Sequence, residues 1–217
     1  MKISWIANDG YGRFGLNAQP GEYDGVPLID SLLFDGTPRI ISNDRMSAAA
    51  ALAFGEFISG ELELPKDITP EMAGAIQDFV LPRKVFPGPI SFSARGLPDG
   101  DTRLLLNSGL EHAKLQPNNE WGAPREVLLD LRSSATWAGQ IASVDTISLA
   151  SNSVLFGASC ADNDVRRIHA SIAVALIFAE SLKAQTIVLH KKYAAYEDHV
   201  DSLIQFLAPC GMGIELR

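Results

Sequence analysis

The sequence predicts an α/β (α+β) fold assembled from helix–strand–helix–strand units. Three observations carry this reading: two alanine-rich apolar segments with helical spacing, short apolar runs that follow each at once, and a regular offset between the two units. The offset is 164 − 44 = 120 at the aspartates that open the segments and 178 − 54 = 124 at the phenylalanines that close them. This implies an internal duplication, with alanine-rich composition alone as the competing explanation.

Along the chain, the apolar stretch Ile3 to Ala7 leads into Gly10-x-Gly12-x-x-Gly15, the letter pattern of a dinucleotide loop. That chemistry needs a helix opening near the third glycine, so that backbone N–H groups face a pyrophosphate. Leu16 to Gln19 instead runs straight into Pro20-Gly21, so the segment reads as a loop or wide hairpin with no nucleotide site.

Ser31 to Phe34 reads as a strand, Asn43 to Ser59 as an alanine-rich helix and Glu61 to Leu64 as a short strand. Thr69 to Val80 reads as a second helix, capped by Thr69 with Pro70 at its first position, and Ile90 to Ala94 as a strand. The segment 95–124 is rich in Gly, Pro, Asn and charge, and within it only Thr102 to Asn107 has a strand pattern. Glu126 to Leu131 follows as a buried strand, Ser134 to Ala142 as a short helix, and Thr146 to Ala150 and Ser153 to Phe156 as strands.

The clearest helix is Asp164 to Lys183, capped by Asp162 or Asn163, with Val165, Ile168, Ile172, Leu176 and Leu182 at helical spacing. Strand Thr186 to His190, an amphipathic helix Tyr193 to Leu207 and a last strand beginning at Gly213 complete the second unit. The expectation is a single domain with two similar halves, about 1–94 and 125–217, joined by 95–124.

Composition excludes several classes. A chain of 217 residues, 47% hydrophobic and 20% charged, can bury a substantial core. Its net charge of −8 argues against nucleic acid as a partner. Two cysteines, Cys160 and Cys210, without Cys-x-x-Cys or a His/Cys cluster, suit a reducing cytoplasm and no metal or cofactor. The longest apolar run falls short of the roughly 18 residues that a membrane span requires, and no signal peptide is indicated.

The chemistry-bearing residues gather in the second unit. Arg166 and Arg167 fall in the first turn of a helix whose free N–H groups favour an anion, and Lys191 leaves a strand at its C-terminal end. Arginine offers bidentate recognition of carboxylate or phosphate, and lysine adds a point charge. The competing reading pairs Arg166 and Arg167 with Asp162 and Asp164 and leaves Lys191 and Lys192 as a solvated loop. His169, one turn along from Val165, reads as a residue that packs or hydrogen-bonds. Trp5, Trp121 and Trp137 are too scattered to form one stacking platform.

"NDVRRIHASIAVALIFAES" followed by "HKKYAAYEDHVDSLIQFL" resembles the C-terminal unit of the enolpyruvyl transferases, especially the enolpyruvylshikimate-phosphate synthases. The shared pattern is Asn-Asp-x-Arg at the head of an alanine-rich helix, then a lysine and an aromatic-x-x-aromatic run. Here Arg166 and Lys191 are 191 − 166 = 25 residues apart, with Tyr193 and Tyr196 after them. "RIISNDRMSAAAALAFG" and "PKDITPEMAGAIQDF" resemble the preceding unit of the same domain.

The resemblance implies one domain of an inside-out α/β barrel that binds a small anionic metabolite such as phosphoenolpyruvate. Arg166 and Lys191, with Asp164 and Arg167 beside them, would hold its anionic groups; Lys66, Asp67 and Asp35 would take the catalytic places. An active member would be a carboxyvinyl transferase, adding a hydroxyl to phosphoenolpyruvate and expelling phosphate. The chain departs from the pattern where the family's arginine would fall, near Pro70, where Asp67 replaces glutamate, and where Asp35 aligns only with a gap. The family's other domain has no convincing counterpart, since Asn107-Ser108-Gly109 runs into Leu110-Glu111 instead of Thr and a helix. Three functions follow: a transferase-like subunit completed by a partner protein or a second copy, a non-catalytic assembly protein, or a free-standing binder of an anionic metabolite.

Overall fold

The computed structural model describes the whole chain except residues 9, 94, 95, 97–99, 112, 113, 119 and 159. The first half comprises strands β1 (Lys2–Ile6), β2 (Phe14–Gln19) and β3 (Ser31–Phe34), helix α1 (Asn43–Phe54), β4 (Gly60–Ile68), helix α2 (Pro70–Phe79) and β5 (Val85–Ile90). The second comprises β6 (Thr102–Asn107), β7 (Glu126–Ser133), β8 (Gln140–Ala142), β9 (Thr146–Ser151), α3 (His169–Ala179), β10 (Ala184–Leu189), α4 (Glu197–Leu207) and β11 (Gly213–Leu216). The strands belong to one sheet, ordered β11-β10-β6-β7-β9-β3-β2-β1-β4-β5, with β8 attached to β9.

The sheet has two wings. β4, β5 and β1 are mutually parallel in one, and β6, β7, β9, β10 and β11 in the other. They meet antiparallel where Phe34 of β3 pairs with Ser151 of β9. Asn152 fastens this seam, accepting from the Leu33 N–H (2.8 Å) and donating to the Ser31 carbonyl (2.8 Å). β5 and β11 are opposite edges of the sheet, yet α2 packs on β5, α4 on β11, and α2 against α4. The sheet is therefore curled round the four helices.

That enclosure explains the composition of the helices. Every residue from Arg45 to Phe54 of α1 and from Ala170 to Ala179 of α3 is buried. A helix covered on all sides loses its polar face, and its alanines let α1 and α3 lie directly against each other. α4, covered on one side only, keeps Val200, Leu203, Phe206 and Leu207 buried and its remaining face polar.

Several elements differ from the sequence reading. The long helix expected from Asp164 is a 3-10 turn, Val165–Ile168, followed by the shorter α3, and its cap is Asp164 itself, which accepts from the Arg166 N–H (2.9 Å). The helix expected to Ser59 stops at Phe54 and ends in a 3-10 turn, and the one expected from Tyr193 starts as a 3-10 turn, Lys191–Tyr196. Ser153 to Phe156 is a 3-10 turn and not a strand. The helix expected over Ser134 to Ala142 is a turn leading into β8. The strand expected at Ile90 to Ala94 lies earlier, as β5, and Ala94 is outside the described residues. β4 runs on to Ile68, beyond the Leu64 expected, so Lys66 and Asp67 are strand residues.

Thr69 caps α2 as its spacing predicts. Its hydroxyl accepts from the Met72 N–H (3.3 Å), while Asp44 accepts from both the Thr69 hydroxyl and N–H (3.0 Å each). One side chain thus joins the heads of α1 and α2. Thr69→Ala is expected to lower stability by about 1–2 kcal/mol, and Thr69→Ser much less, read from chemical unfolding midpoints.

Candidate functional site

The four helices define two ends of the molecule. The upper end holds the starts of α1 and α2 and the finishes of α3 and α4. There Arg45 of α1 donates to the carbonyls of Cys210 and Gly211 beyond α4 (3.2 Å each). The lower end holds the finishes of α1 and α2 and the starts of α3 and α4, and they converge on a cavity of about 380 Å³. That is the size of a small-metabolite site. Its polar wall includes Glu56, Arg83, Cys160, Arg166, His169 and His199.

Asp164 organises this wall from beneath. Almost fully buried, its carboxylate accepts from the Arg166 Nε (2.8 Å) and from Arg166 Nη2, and stands 3.4 Å from Nδ1 of His199. Burial pushes the Asp164 carboxyl up, but the hydrogen bonds from Arg166 and the charges of Arg166 and His199 outweigh it, and its pKa lies below the usual carboxylate value. The same bond to Asp164 pushes Arg166 up. Arg166 Nη1 has no hydrogen-bond partner among the described residues, and the side chain remains half exposed at the cavity. His199 lies parallel to the Tyr196 ring, with centroids 5.6 Å apart.

His169 lies against Phe79, with centroids 5.6 Å apart, and Phe79 stacks on Phe206 at 4.1 Å. Burial pushes its imidazole down to about 4, against the pull of Asp164, so it is neutral at pH 7. The expectation that His169 packs agrees with this placement.

The residues singled out from the sequence do not form one site. Arg166 lines the lower cavity. Lys191 is at the same end but exposed, its backbone N–H bound to the Arg217 carbonyl (2.8 Å), and it does not line that cavity. Arg166 and Arg167 form the ion pairs of the competing reading, with Asp164 and Asp162 respectively. Lys66 and Asp67 are at the upper end, separated from Arg166 by about the length of α1, roughly 18 Å at 1.5 Å per residue. Asp67 accepts from the Asn43 side chain (2.9 Å). Asp35 accepts from the Gly139 N–H (2.6 Å) and shapes the turn before β8.

A second polar group at the lower end was not anticipated. Glu111 accepts from the Ser108 hydroxyl (2.7 Å) and the buried Tyr193 hydroxyl (3.0 Å). Lys192, not Lys191, turns inward, donating to the Leu110 carbonyl (3.2 Å) and lying 4.8 Å from the Tyr193 ring centroid. Burial pushes Tyr193 up and Lys192 down. The available signal was the polar turn Asn107-Ser108-Gly109 directly after a strand.

Among the described residues no His, Cys, Asp and Glu side chains cluster as metal ligands do, and no helix is long and apolar enough to cross a membrane. No protein-family model, no curated protein and no solved structure matches the chain.

Proposed function

We propose that the chain binds a small anionic metabolite, of the carboxylate or phosphate type that phosphoenolpyruvate represents, in the lower cavity. The observation that carries this reading is Arg166: it is held by a buried carboxylate on one side, its Nη1 has no hydrogen-bond partner among the described residues, and it stands where the starts of α3 and α4 converge. Helix N-termini add positive potential, and the His199 imidazole lines the same wall. Because Lys66 and Asp67 belong to the other end, carboxyvinyl transfer in this cavity would have to take its acid and base from other groups, such as Glu56 and His199 of its own wall, or from a second chain.

The duplicated, enolpyruvyl-transferase-like architecture is part of the same proposal. The strand order supports it, since β5-β4-β1-β2-β3 and β11-β10-β6-β7-β9 run inward to the seam in matching sequence, with β2 antiparallel and β7 parallel to their neighbours as the exception. Asp44 and Asp164 also match: each stands at the head of a buried helix and reaches the head of the next one, through Thr69 and His199.

Calorimetric titration with phosphoenolpyruvate and with inorganic phosphate tests the reading. Wild type is expected to bind saturably, Arg166→Ala to bind roughly tenfold or more weakly, as loss of a charged hydrogen bond predicts, and Lys191→Ala to bind as wild type does. Absence of binding by wild type at millimolar ligand would overturn it. A second reading, assembly with another chain, draws on the exposed Tyr23, Val26 and Leu28 between β2 and β3, and a concentration-dependent mass in sedimentation would favour it.

A further inference from the structure

A groove of about 670 Å³ lies at the upper end, remote from the cavity just described. It exists because β1 and β4 part company. They pair in register only at Lys2↔Glu63, where the Glu63 N–H donates to the Met1 carbonyl (2.9 Å). In a parallel ladder the next donor on that side of β4 is two residues along. That residue is Pro65, which has no N–H to give. The ladder ends there and the strands diverge, as parallel strands do where α/β proteins take their ligands.

What fills the gap is apolar below and cationic above. Trp5, Phe14, Ile41 and Met46 line it, the first three half-buried against the core. Trp5 rests on Phe34 (centroids 6.2 Å), which is held in turn by Phe178 (5.5 Å), so the aromatic floor is fixed in place. Among the described residues that line it, Lys2, Arg39 and Lys66 stand against a single acid, Glu63, which is tied to Lys2 at 2.8 Å. Among the described residues Arg39 and Lys66 have no ion-pair partner, and two uncompensated cations over an aromatic floor are unusual in a chain of net charge −8.

We propose that this groove is a second ligand site, for a small molecule that joins a flat aromatic body to a carboxylate or phosphate. The ring would lie on Trp5 and Phe14, and the anion would meet Arg39 and Lys66. Neither half suffices alone: the floor would take any apolar ring, and exposed cations any anion.

The test uses phenyl phosphate and phenylacetate as probes and a Trp121→Phe/Trp137→Phe protein, in which Trp5 is the remaining tryptophan. Both probes are expected to change Trp5 emission saturably, with benzyl alcohol and inorganic phosphate at least tenfold weaker. Arg39→Ala/Lys66→Ala, both exposed positions, should weaken phenyl phosphate tenfold or more with an unchanged circular dichroism spectrum, while Arg166→Ala leaves it unaltered. No saturable change at millimolar probe, or binding that survives loss of both cations, would overturn the assignment. Either result is independent of the lower cavity, because the probes report through Trp5.

Discussion

Arg45→Met is expected to lower the unfolding free energy by about 3–5 kcal/mol, the range for stripping one partner from a buried charged group. Arg45 is fully buried within α1. Burial pushes its pKa down, against the pull of Glu180 and Cys210, so the charge is costly where it stands. It persists because the guanidinium answers two carbonyls, Cys210 and Gly211, that no helix or strand bond would satisfy. Methionine keeps most of the aliphatic stem but leaves both carbonyls bare and the Glu180 side chain without its cation. Denaturant unfolding at pH 7 checks this, and Arg45→Met/Glu180→Gln should cost less than the sum of its parts. A loss below about 1 kcal/mol for the single variant would show that the carbonyls find other donors.

Stability should also fall by about 3 kcal/mol between pH 6.5 and pH 4, and His169 should account for it. Its pKa in the folded protein is about 4 against 6.5 when unfolded. The fold therefore prefers the neutral imidazole. The contribution is complete above pH 6.5, declines as the unfolded chain takes up a proton that the folded one refuses, and is lost at and below pH 4. Asp164 adds to this only lower down, because its depressed pKa makes its contribution disappear below the ordinary carboxylate range. His169→Phe retains the contact with Phe79 and should flatten the profile between those limits. Chemical unfolding at several pH values would show the difference, and an unchanged slope in the variant would assign the sensitivity elsewhere.

Much of the fold was legible because burial leaves a strong pattern. Thr69-Pro70, the apolar runs at Glu126 and Thr146, and the alanine-rich cores of α1 and α3 each point to the element found. Helix ends were misplaced for a physical reason: in a segment apolar all round, periodicity does not mark where the α-helix gives way to a 3-10 turn, and only the Asp164 side chain shows the start of that turn. Ser153 to Phe156 has the same apolar letters as Ser31 to Phe34, but the Ser151 hydroxyl turns back to the Ser153 N–H (3.1 Å) and ends the strand.

The candidate site was half legible. Arg166 was picked out by helix position and does line a cavity. Lys66 and Asp67 were grouped with it through linear resemblance, which carries no information about which end of a helix a residue reaches. His199 and Cys160 escaped notice because what brings them to the cavity is the packing of α4 and of the turn before α3, neither of which is local. Pro65 gave a clear signal that went unused: a proline within a strand requires an open ladder on one side.

The curled sheet has a consequence for the halves themselves. They share one paired position in the sheet, at Phe34 and Ser151, while α1 and α3 lie against each other along buried alanine faces. A half-length piece of this chain would keep most of its strand pairing and yet present a bare, greasy helix to water. Each wing is the other's lid, and neither could persist in a cell except in company.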